Sequence, residues 1–305
     1  MARTLLSLSN MEPKEVAALV DRAVELARTP RTPQVLAGRA IGIYFATSST
    51  RTRTAFWRAA TALGADVISY GPEDLQLVTG ESLADTARVL AAYLDAIVVR
   101  TNGEIREMAE LADAADLPVV NALSSHEHPT QALADLTMLR AEFGTVAGRH
   151  VLYVGEGNST AMSLAHAVAL SPGLRLTLIT PEGYGIPDGL PAWLREHGAQ
   201  DRVQHGHDLD AVIGPVDAIY TSRWNQMGVP KADPQWRSHF LPYQVTDALF
   251  ARIGGERSIF LHDLPAVRGD ETTAEVIDGP RSRVFRQAFY KYAAAMAILE
   301  WCVCR

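Results

Sequence analysis

The sequence predicts an α/β protein built from two doubly wound parallel-sheet domains. Short apolar runs alternate with longer segments of helical periodicity, which is typical of parallel α/β architecture. The chain has 305 residues, a length that indicates two domains rather than one. Because the alternation runs through two successive series, we expect ligands to bind between the two halves, at the carboxyl ends of strands.

The first series contains predicted strands that are short apolar runs, such as IGIYFA at 41–46. The segments between them have the apolar spacing of helices, and polar caps mark two helix starts, at Asn10 and Ser82. The predicted strands are 41–46, 66–70, 96–99 and 119–122, and the predicted helices are 10–28, 52–63, 82–93 and 104–115.

A long predicted helix over 129–143 separates the two series. Pro129 suits its first turn, while Gly144 and Gly148 end it. The second series then alternates in the same way and closes with another long helix. Its predicted strands are 150–154, 175–179, 218–221 and 258–262, and its predicted helices are 161–170, 192–197 and 282–301.

Composition argues against several classes of protein. The net charge of −7 disfavours a nucleic acid partner. We find no signal peptide and no apolar stretch of membrane length, so we expect a cytoplasmic protein that does not associate with membranes. Cys302 and Cys304 are too close in sequence to bridge comfortably, which indicates a reducing compartment.

The strongest local motif is SSTRTRT at 48–54, directly after the IGIYFA strand and at the start of a helix. The N-terminus of a helix offers free N–H groups and the positive end of the helix dipole, which together favour a phosphate. Hydroxyls and an arginine fork would complete such a site. The alternative is a Ser/Thr-rich cap with solvated arginines, and local chemistry alone supports both interpretations equally.

Polar side chains also stand where other predicted strands end. A histidine there is more often structural than catalytic, but one beside Pro-Thr-Gln at a helix start, in a chain with a phosphate-binding motif, favours a functional role. It could donate a hydrogen bond to a carbonyl oxygen on which negative charge develops. These residues are Arg100, His126, His128, Gln131, His262 and Asp263.

Gly155-Glu156-Gly157, after the strand at 150–154, resembles a dinucleotide-binding loop. Thr160, however, occupies the position of the third glycine, and the expected acidic residue at the next strand end is missing from the sequence. A nicotinamide-dependent enzyme is therefore the weaker alternative.

Taken together, the motifs SSTRTRTAF, HPTQALADL and HDLPAVRGDETTAEVIDGPRSRVF, with Arg100 at a strand end, resemble the aspartate/ornithine carbamoyltransferase superfamily. Their order and spacing hold from about residue 5 to residue 303, nearly the whole chain. The first motif and HPTQ are specific to this superfamily. The segments GDETTAEVIDGP and LPYQVT resemble its ornithine branch.

The resemblance implies two doubly wound domains joined by two helices and assembled as a homotrimer, with active sites between subunits. We expect residues 1–135 to bind carbamoyl phosphate, with the C-terminal helix 282–305 packing back on them, and residues 148–281 to bind the amine acceptor. The implied reaction transfers a carbamoyl group to a small amine and releases phosphate, without a cofactor or metal. Such catalysis is mostly positioning and electrostatics.

The resemblance also assigns roles to polar residues of the first half. Arg100, His128 and Thr52 would stabilise the oxyanion of the tetrahedral intermediate and are the expected catalytic residues. Gln76 matches a residue that reaches the site of a neighbouring subunit. The residues expected to bind carbamoyl phosphate are Ser49, Thr50, Arg51, Thr52, Gln76, Arg100, His128, Gln131 and Lys291, the last in place of an arginine.

The acceptor side departs from the ornithine branch. Asp263 replaces the cysteine of an H-C-L-P motif, while Ser222 and Gln226 replace an aspartate and a serine that grip the α-amino group. Arg223 falls near a carboxylate-binding arginine of the aspartate branch, or else faces solvent or a structural acid. The expected acceptor-binding residues are Ser159 (in place of an asparagine), Ser222, Arg223, Gln226, Met227, Asp263 and Leu264.

Because these changes cluster on the acceptor side while the phosphate motifs are intact, we expect a working carbamoyltransferase whose acceptor is not ornithine. A small amino acid with a second amine, or another amine of specialised metabolism, would suit a carboxylate at position 263. Two alternatives stay open. One is an ordinary ornithine carbamoyltransferase, and the other is a catalytically silent paralogue that binds carbamoyl phosphate.

Overall fold

The structure, a computed structural model, describes residues 3–225 and 230–304, and for residues 77 and 78 it describes the main chain alone. The chain divides into two compact units, which are described separately. Unit 1 comprises Met1–Glu142 and Phe289–Arg305, and unit 2 comprises Phe143–Ala288. Each unit contains a sheet whose described strands pair in parallel. The predicted fold class, with two parallel-sheet α/β domains, is confirmed.

The sheet of unit 1 consists of strands β1 (Ala40–Phe45), β2 (Asp66–Tyr70), β3 (Ala96–Arg100) and β4 (Val119–Leu123). Their spatial order is β2-β1-β3-β4. The chain adds β2 on one side of β1 and then crosses to the other side for β3, so a topological switch point lies between β1 and β3. At its carboxyl end, Phe45 pairs with Arg100.

The helices of unit 1 are α1 (Pro13–Arg28), α2 (Thr50–Ala62), α3 (Leu83–Ala91), α4 (Ile105–Ala115) and α5 (Pro129–Phe143), the last ending at the unit boundary. The predicted cap of α3 is confirmed, since the Ser82 side chain accepts a hydrogen bond from the main-chain N–H of Asp85. The predicted cap at Asn10 is wrong. Asn10 ends a short 3-10 helix, and α1 starts at Pro13 with a capping box between Glu12 and Glu15.

Helix α5 is buried along most of its length, because all residues from 129 to 139 are buried. The set includes polar side chains such as Gln131 and Asp135, which must find hydrogen-bond partners inside the protein. A helix of this kind has no solvent-facing stripe, so its polar residues are candidates for a site rather than for a surface.

The sheet of unit 2 consists of strands β5 (His150–Val154), β6 (Arg175–Ile179), β7 (Val203–Gly206), β8 (Val216–Thr221) and β9 (Gly254–His262). Their spatial order is β7-β6-β5-β8-β9. The chain builds from β5 towards β7 and then returns to the other side of β5 for β8. A second switch point therefore lies between β5 and β8.

The helices of unit 2 are α6 (Ser159–Ala169), α7 (Leu190–Glu196), α8 (Trp236–Phe240), α9 (Asp247–Ile253) and α10 (Ala274–Asp278). Strand β7 and helices α8 to α10 were not predicted. The sequence of β7, VQHG, lacks the apolar run used to recognise strands, and five- to seven-residue helices are too short to show a helical period. Strand β9 also begins earlier than predicted, at Gly254.

Helix α11 (Val284–Val303) contributes its residues from Phe289 onward to unit 1 and its first residues to unit 2. It carries Lys291, which is buried. Although α11 is long and largely apolar, no helix in the described part of the chain is long and apolar enough to cross a membrane.

Candidate active site

The predicted phosphate-binding motif lies at the switch point of unit 1. It follows β1, whose last residue pairs with Arg100, and the main-chain N–H of Ala46 donates to the carbonyl oxygen of Arg100 at 2.9 Å. The motif and Arg100 are thus brought together at the carboxyl edge of the sheet, where ligands of open α/β sheets bind. Ser49 is the N-cap of α2, and Thr50, Arg51 and Thr52 form its first turn.

The start of α2 suits an anion. Ser49 has an extended main chain, and its side chain makes no capping hydrogen bond in the described structure, so it does not occupy the N–H groups of the first turn. Thr52 is buried, whereas Arg53 is exposed and donates to Ser69 Oγ at 2.7 Å. Thr47, which the sequence analysis missed, has a buried hydroxyl without a hydrogen-bond partner among the described residues.

A buried polar cluster follows β4. Nζ of Lys291 donates to Oε1 of Gln131 at 2.6 Å and lies 3.5 Å from Nε2 of His128. Nε2 of Gln131 donates in turn to Oδ1 of Asp135 at 2.8 Å. His128, Gln131 and Lys291 are each at most 5% exposed. Three of the predicted carbamoyl phosphate ligands are therefore brought together by the start of α5, the residue before it and α11.

The electrostatics of this cluster keep His128 neutral. Burial, together with the positive charges of Lys291 and Arg100, holds the pKa of the His128 imidazole well below its usual range. The ammonium of Lys291 has only donors, so Nε2 of the neutral ring is the acceptor and the proton resides on Nδ1. That atom lies 3.4 Å from Oγ1 of Thr130.

Gln76 lies apart from these contacts. It is exposed and begins the short 3-10 helix Gln76–Thr79, where its Oε1 accepts from the Thr79 hydroxyl at 2.9 Å. Its predicted role needs a neighbouring subunit and stays a prediction.

The switch point of unit 2 carries a hydroxyl–amide network. Ser222 follows β8 directly and is buried. Its Oγ accepts from Nδ2 of Asn158 at 2.8 Å and lies 2.6 Å from the hydroxyl of Tyr153. The Tyr153 hydroxyl donates to the carbonyl oxygen of Glu156, so Ser222 is the donor to Tyr153. The Ser222 hydroxyl therefore both accepts and donates a hydrogen bond inside the protein.

Asn158 also caps helix α6. Its Oδ1 accepts from the main-chain N–H groups of Thr160 and Ala161, and Ser159 is the buried first residue of the helix. The predicted acceptor residues Ser159 and Ser222 are thereby brought to one place, joined by an asparagine that the sequence analysis did not select.

The turn after β9 presents Asp263. The hydroxyl of Thr160 donates to Oδ2 of Asp263 at 3.0 Å, which brings the end of β9 beside the start of α6. Leu264 has a positive φ of 57°, a main-chain conformation that is strained for residues other than glycine. The main-chain N–H of Leu264 donates to Nδ1 of His262 at 2.8 Å and holds this turn in place.

A buried dyad supports the same turn. Since Nδ1 of His262 accepts from Leu264, its Nε2 carries the proton and donates to Oε1 of Glu271 at 3.2 Å. His262 and Glu271 are almost completely buried. His262, which the sequence analysis placed among the functional candidates, therefore positions the main chain next to Asp263.

The remaining predicted acceptor residues lie on the segment after β8. Arg223 is half-buried, and its Nε is buried without a hydrogen-bond partner among the described residues, so the side chain is not simply solvated. Gln226 and Met227 lie outside the described residues. Just beyond them, Lys231 pairs with Glu156, a contact that the sequence analysis also missed.

The two units offer different chemistry. Unit 1 combines a helix N-terminus, arginine and a buried ammonium beside a neutral imidazole, which suits an anion attached to a carbonyl group. Unit 2 presents hydroxyl, amide and carboxylate oxygens at its switch point, which suit an amine.

Comparison with protein-family models gives one match for each half of the chain. Residues 3–141 match the model of the aspartate/ornithine carbamoyltransferase carbamoyl-P binding domain, and residues 147–302 match the Asp/Orn binding domain of the same enzymes. The chain belongs to the aspartate/ornithine carbamoyltransferase family. The resemblance stated from the motifs is confirmed, and so is the expectation of a carbamoyltransferase enzyme.

Relatives of known name align with nearly the whole length of this chain. An ornithine carbamoyltransferase of Halalkalibacterium halodurans is 38% identical over 306 residues, covering 97% of this chain and 94% of that protein. One from Symbiobacterium thermophilum is 43% identical over 271 residues, covering 87% and 85%. The solved ornithine carbamoyltransferase of Pyrococcus furiosus has a TM-score of 0.91 at 35% identity, covering 99% of this chain and 97% of that one.

Proposed function

We propose that this carbamoyltransferase moves the carbamoyl group of carbamoyl phosphate to the side-chain amine of ornithine and releases phosphate. The relatives described above are all ornithine carbamoyltransferases, so they favour the ornithine alternative over the different acceptor that the substitutions led us to expect. The observation that carries the carbamoyl phosphate half is the buried contact of Lys291 with Gln131 and His128, beside the charge of Arg100.

In the proposed reaction, Ser49, Thr50 and Arg51 bind the phosphate at the start of α2, since their N–H groups, hydroxyls and guanidinium match its oxygens. Gln131 and Lys291 orient the carbamoyl group from the buried cluster. Preorganised donors of this kind are effective because they need no rearrangement as charge develops.

The chemical step is an attack of the neutral amine nitrogen on the carbonyl carbon, which forms a C–N bond and a tetrahedral oxyanion. Arg100, Thr52 and His128 stabilise that oxyanion, with His128 acting as a neutral donor through Nδ1. The C–O bond to phosphate then breaks, and the departing phosphate takes the proton of the amine. No redox partner is needed.

On the acceptor side, Asp263 is the carboxylate at the end of β9, and we propose that it accepts from the attacking amine. Ser159, Ser222 and Leu264 shape the pocket around the amino acid. A second candidate is a shorter or differently charged amine. It is favoured by the neutral, fully hydrogen-bonded Ser222, which stands where the ornithine branch has an aspartate.

We further propose a homotrimer, in which Gln76 of one subunit completes the site of its neighbour. Light scattering gives the mass directly. A mixture of inactive Gln76→Ala and His128→Ala chains would regain activity after co-refolding if sites are shared, whereas the separate variants would not.

The acceptor is identified by competition. Wild-type protein is incubated with carbamoyl phosphate and an equimolar mixture of ornithine, lysine, 2,4-diaminobutyrate, putrescine and aspartate, and the carbamoylated products are quantified by mass spectrometry. We expect citrulline to dominate. Dominance of another product would favour the second candidate, and the pair of changes Asp263→Cys and Ser222→Asp should then raise ornithine turnover. Tight binding of carbamoyl phosphate without any product would support the silent paralogue.

A further inference from the structure

A buried ion pair in unit 2 lies outside the residues assigned to the reaction. Nζ of Lys231 donates to Oε1 of Glu156 at 2.5 Å, and the Lys231 side chain is 7% exposed. A buried ammonium is stable only if an opposite charge pairs with it and other favourable contacts replace its hydration. Oε2 of Glu156 is buried and has no hydrogen-bond partner among the described residues, so this carboxylate depends on Lys231.

Three aromatic rings surround the ammonium. Nζ of Lys231 lies 5.1 Å from the ring centroid of Tyr184, 5.1 Å from that of Phe240 and 5.5 Å from that of Trp236. Each distance is within the range of a cation–π interaction. The rings of Tyr184 and Phe240 pack edge to face, with centroids 4.8 Å apart. These three rings, called the aromatic cage below, partly replace the water that the Lys231 ammonium loses on burial.

The partner of Lys231 belongs to the loop that also contacts Ser222. Glu156 lies two residues before Asn158, whose amide donates to Ser222, and the carbonyl of Glu156 accepts from the same Tyr153 hydroxyl that Ser222 contacts. Residues 156–158 consequently contact both Ser222 and Lys231. This loop therefore links the ion pair of Lys231 to two predicted acceptor-binding residues, Ser222 and Ser159.

Further packing connects the residues after β8 and the 156–158 loop to the surroundings of Lys231. Trp224, two residues after Ser222, is fully buried and lies 5.4 Å from Phe240, centroid to centroid. Gly157 approaches the main chain of Gly185 so closely that a Cβ there would lie 2.3 Å from the Gly185 carbonyl carbon. The 156–158 loop is therefore packed against the 183–186 turn that supplies Tyr184, and the main-chain N–H of Gly157 donates to the Tyr184 carbonyl oxygen at 2.8 Å.

We propose that Lys231 is a positioning residue for the acceptor, because its ion pair with Glu156 holds the loop that carries Asn158 and leads into Ser159. The inference rests on the proposed function of unit 2 as the acceptor-binding unit. Lys231 acts through Glu156 and the aromatic cage, and it need not touch the acceptor.

The test compares Lys231→Met and Lys231→Arg with Lys14→Met, a matched removal of an exposed lysine in unit 1. We expect Lys231→Met to raise the acceptor KM at least about tenfold, with kcat and the carbamoyl phosphate KM within about threefold of wild type. Lys231→Arg keeps the charge and should recover part of the loss, Glu156→Gln should act in the same direction as Lys231→Met, and Lys14→Met should resemble wild type.

A partly unfolded variant does not obscure this result, since KM is independent of the amount of active protein. An unchanged acceptor KM in both Lys231→Met and Glu156→Gln would overturn the proposal, as would an equal rise in the KM of both substrates. If wild type turns over no amine, the proposed function fails instead. The inference is then decided by amide hydrogen exchange, which should accelerate in the peptide over 154–162 of Lys231→Met but not of Lys14→Met; equal exchange would overturn it.

Discussion

Lys291 donates to Gln131 across 2.6 Å in the interior of unit 1, from a helix near the end of the chain to the start of α5. The same ammonium lies 3.5 Å from His128. This contact fixes the amide of Gln131, since its nitrogen is engaged by Asp135 and its oxygen by Lys291. The C-terminal residues are therefore part of the proposed carbamoyl phosphate site.

Removal of the Lys291 charge should weaken carbamoyl phosphate binding. Lys291→Met leaves the buried Gln131 oxygen without its donor, and a hydrogen bond to a charged group is worth about 1.5–3 kcal/mol. We expect the dissociation constant for carbamoyl phosphate to rise about 10- to 100-fold by calorimetry. Lys14→Met serves as the control and should bind normally; normal binding by Lys291→Met would contradict the assignment.

The pKa of His128 predicts how stability depends on pH. Because the folded protein depresses this pKa, the His128 imidazole is protonated near pH 6.5 in the unfolded chain but stays neutral in the folded protein. Stability should thus decline as the pH falls below about 6.5. In urea unfolding between pH 7.5 and 5, His128→Asn should show a shallower decline than wild type. Identical pH dependence in the two proteins would show that His128 is not held neutral.

Ser222 should affect the acceptor selectively. Ser222→Ala removes the hydroxyl that accepts from Asn158 and donates to Tyr153. Loss of such buried hydrogen bonds destabilises by about 1–3 kcal/mol. We expect a higher acceptor KM with an unaltered carbamoyl phosphate KM in steady-state kinetics. A parallel change in both constants would mean that the network has no specific link to the acceptor.

The buried dyad behind Asp263 gives another prediction. Glu271→Gln weakens the acceptor of the His262 Nε2–H, which helps to fix the turn that includes Leu264. The expected outcome is a rise of about tenfold in the acceptor KM, together with a lower unfolding temperature. Glu275→Gln changes an exposed glutamate on the neighbouring helix and is the matched control. Equal kinetics for the two variants would limit Glu271 to a structural role.

Much of the fold could be predicted from the sequence, because buried parallel strands are short apolar runs and the longer helices show a clear period. The sequence could not reveal β7, where polar residues such as His205 stand in a strand, or the start of α1, where a capping box at Glu12 overrides Asn10. Strand pairing and capping geometry decide these elements, and neither is visible in a local pattern.

The residues proposed to bind carbamoyl phosphate could be selected from the sequence, because motifs with specific spacing follow β1 and β4. Other contacts could not be predicted, because they join positions up to 75 residues apart that share no motif. They involve Tyr153, Glu156, Asn158 and Lys231. The prediction of an acceptor other than ornithine, which the relatives favour less than ornithine itself, had another weakness. Substitutions at Ser222 and Asp263 show that contacts differ, but they do not show which amine the altered contacts select.

The most direct test of the central claim is phosphate release from carbamoyl phosphate by the purified protein, measured with and without ornithine while citrulline is quantified in the same samples. The account predicts release that depends on ornithine, with one citrulline formed per phosphate. Phosphate release that ornithine does not accelerate, or acceleration without citrulline, would contradict it.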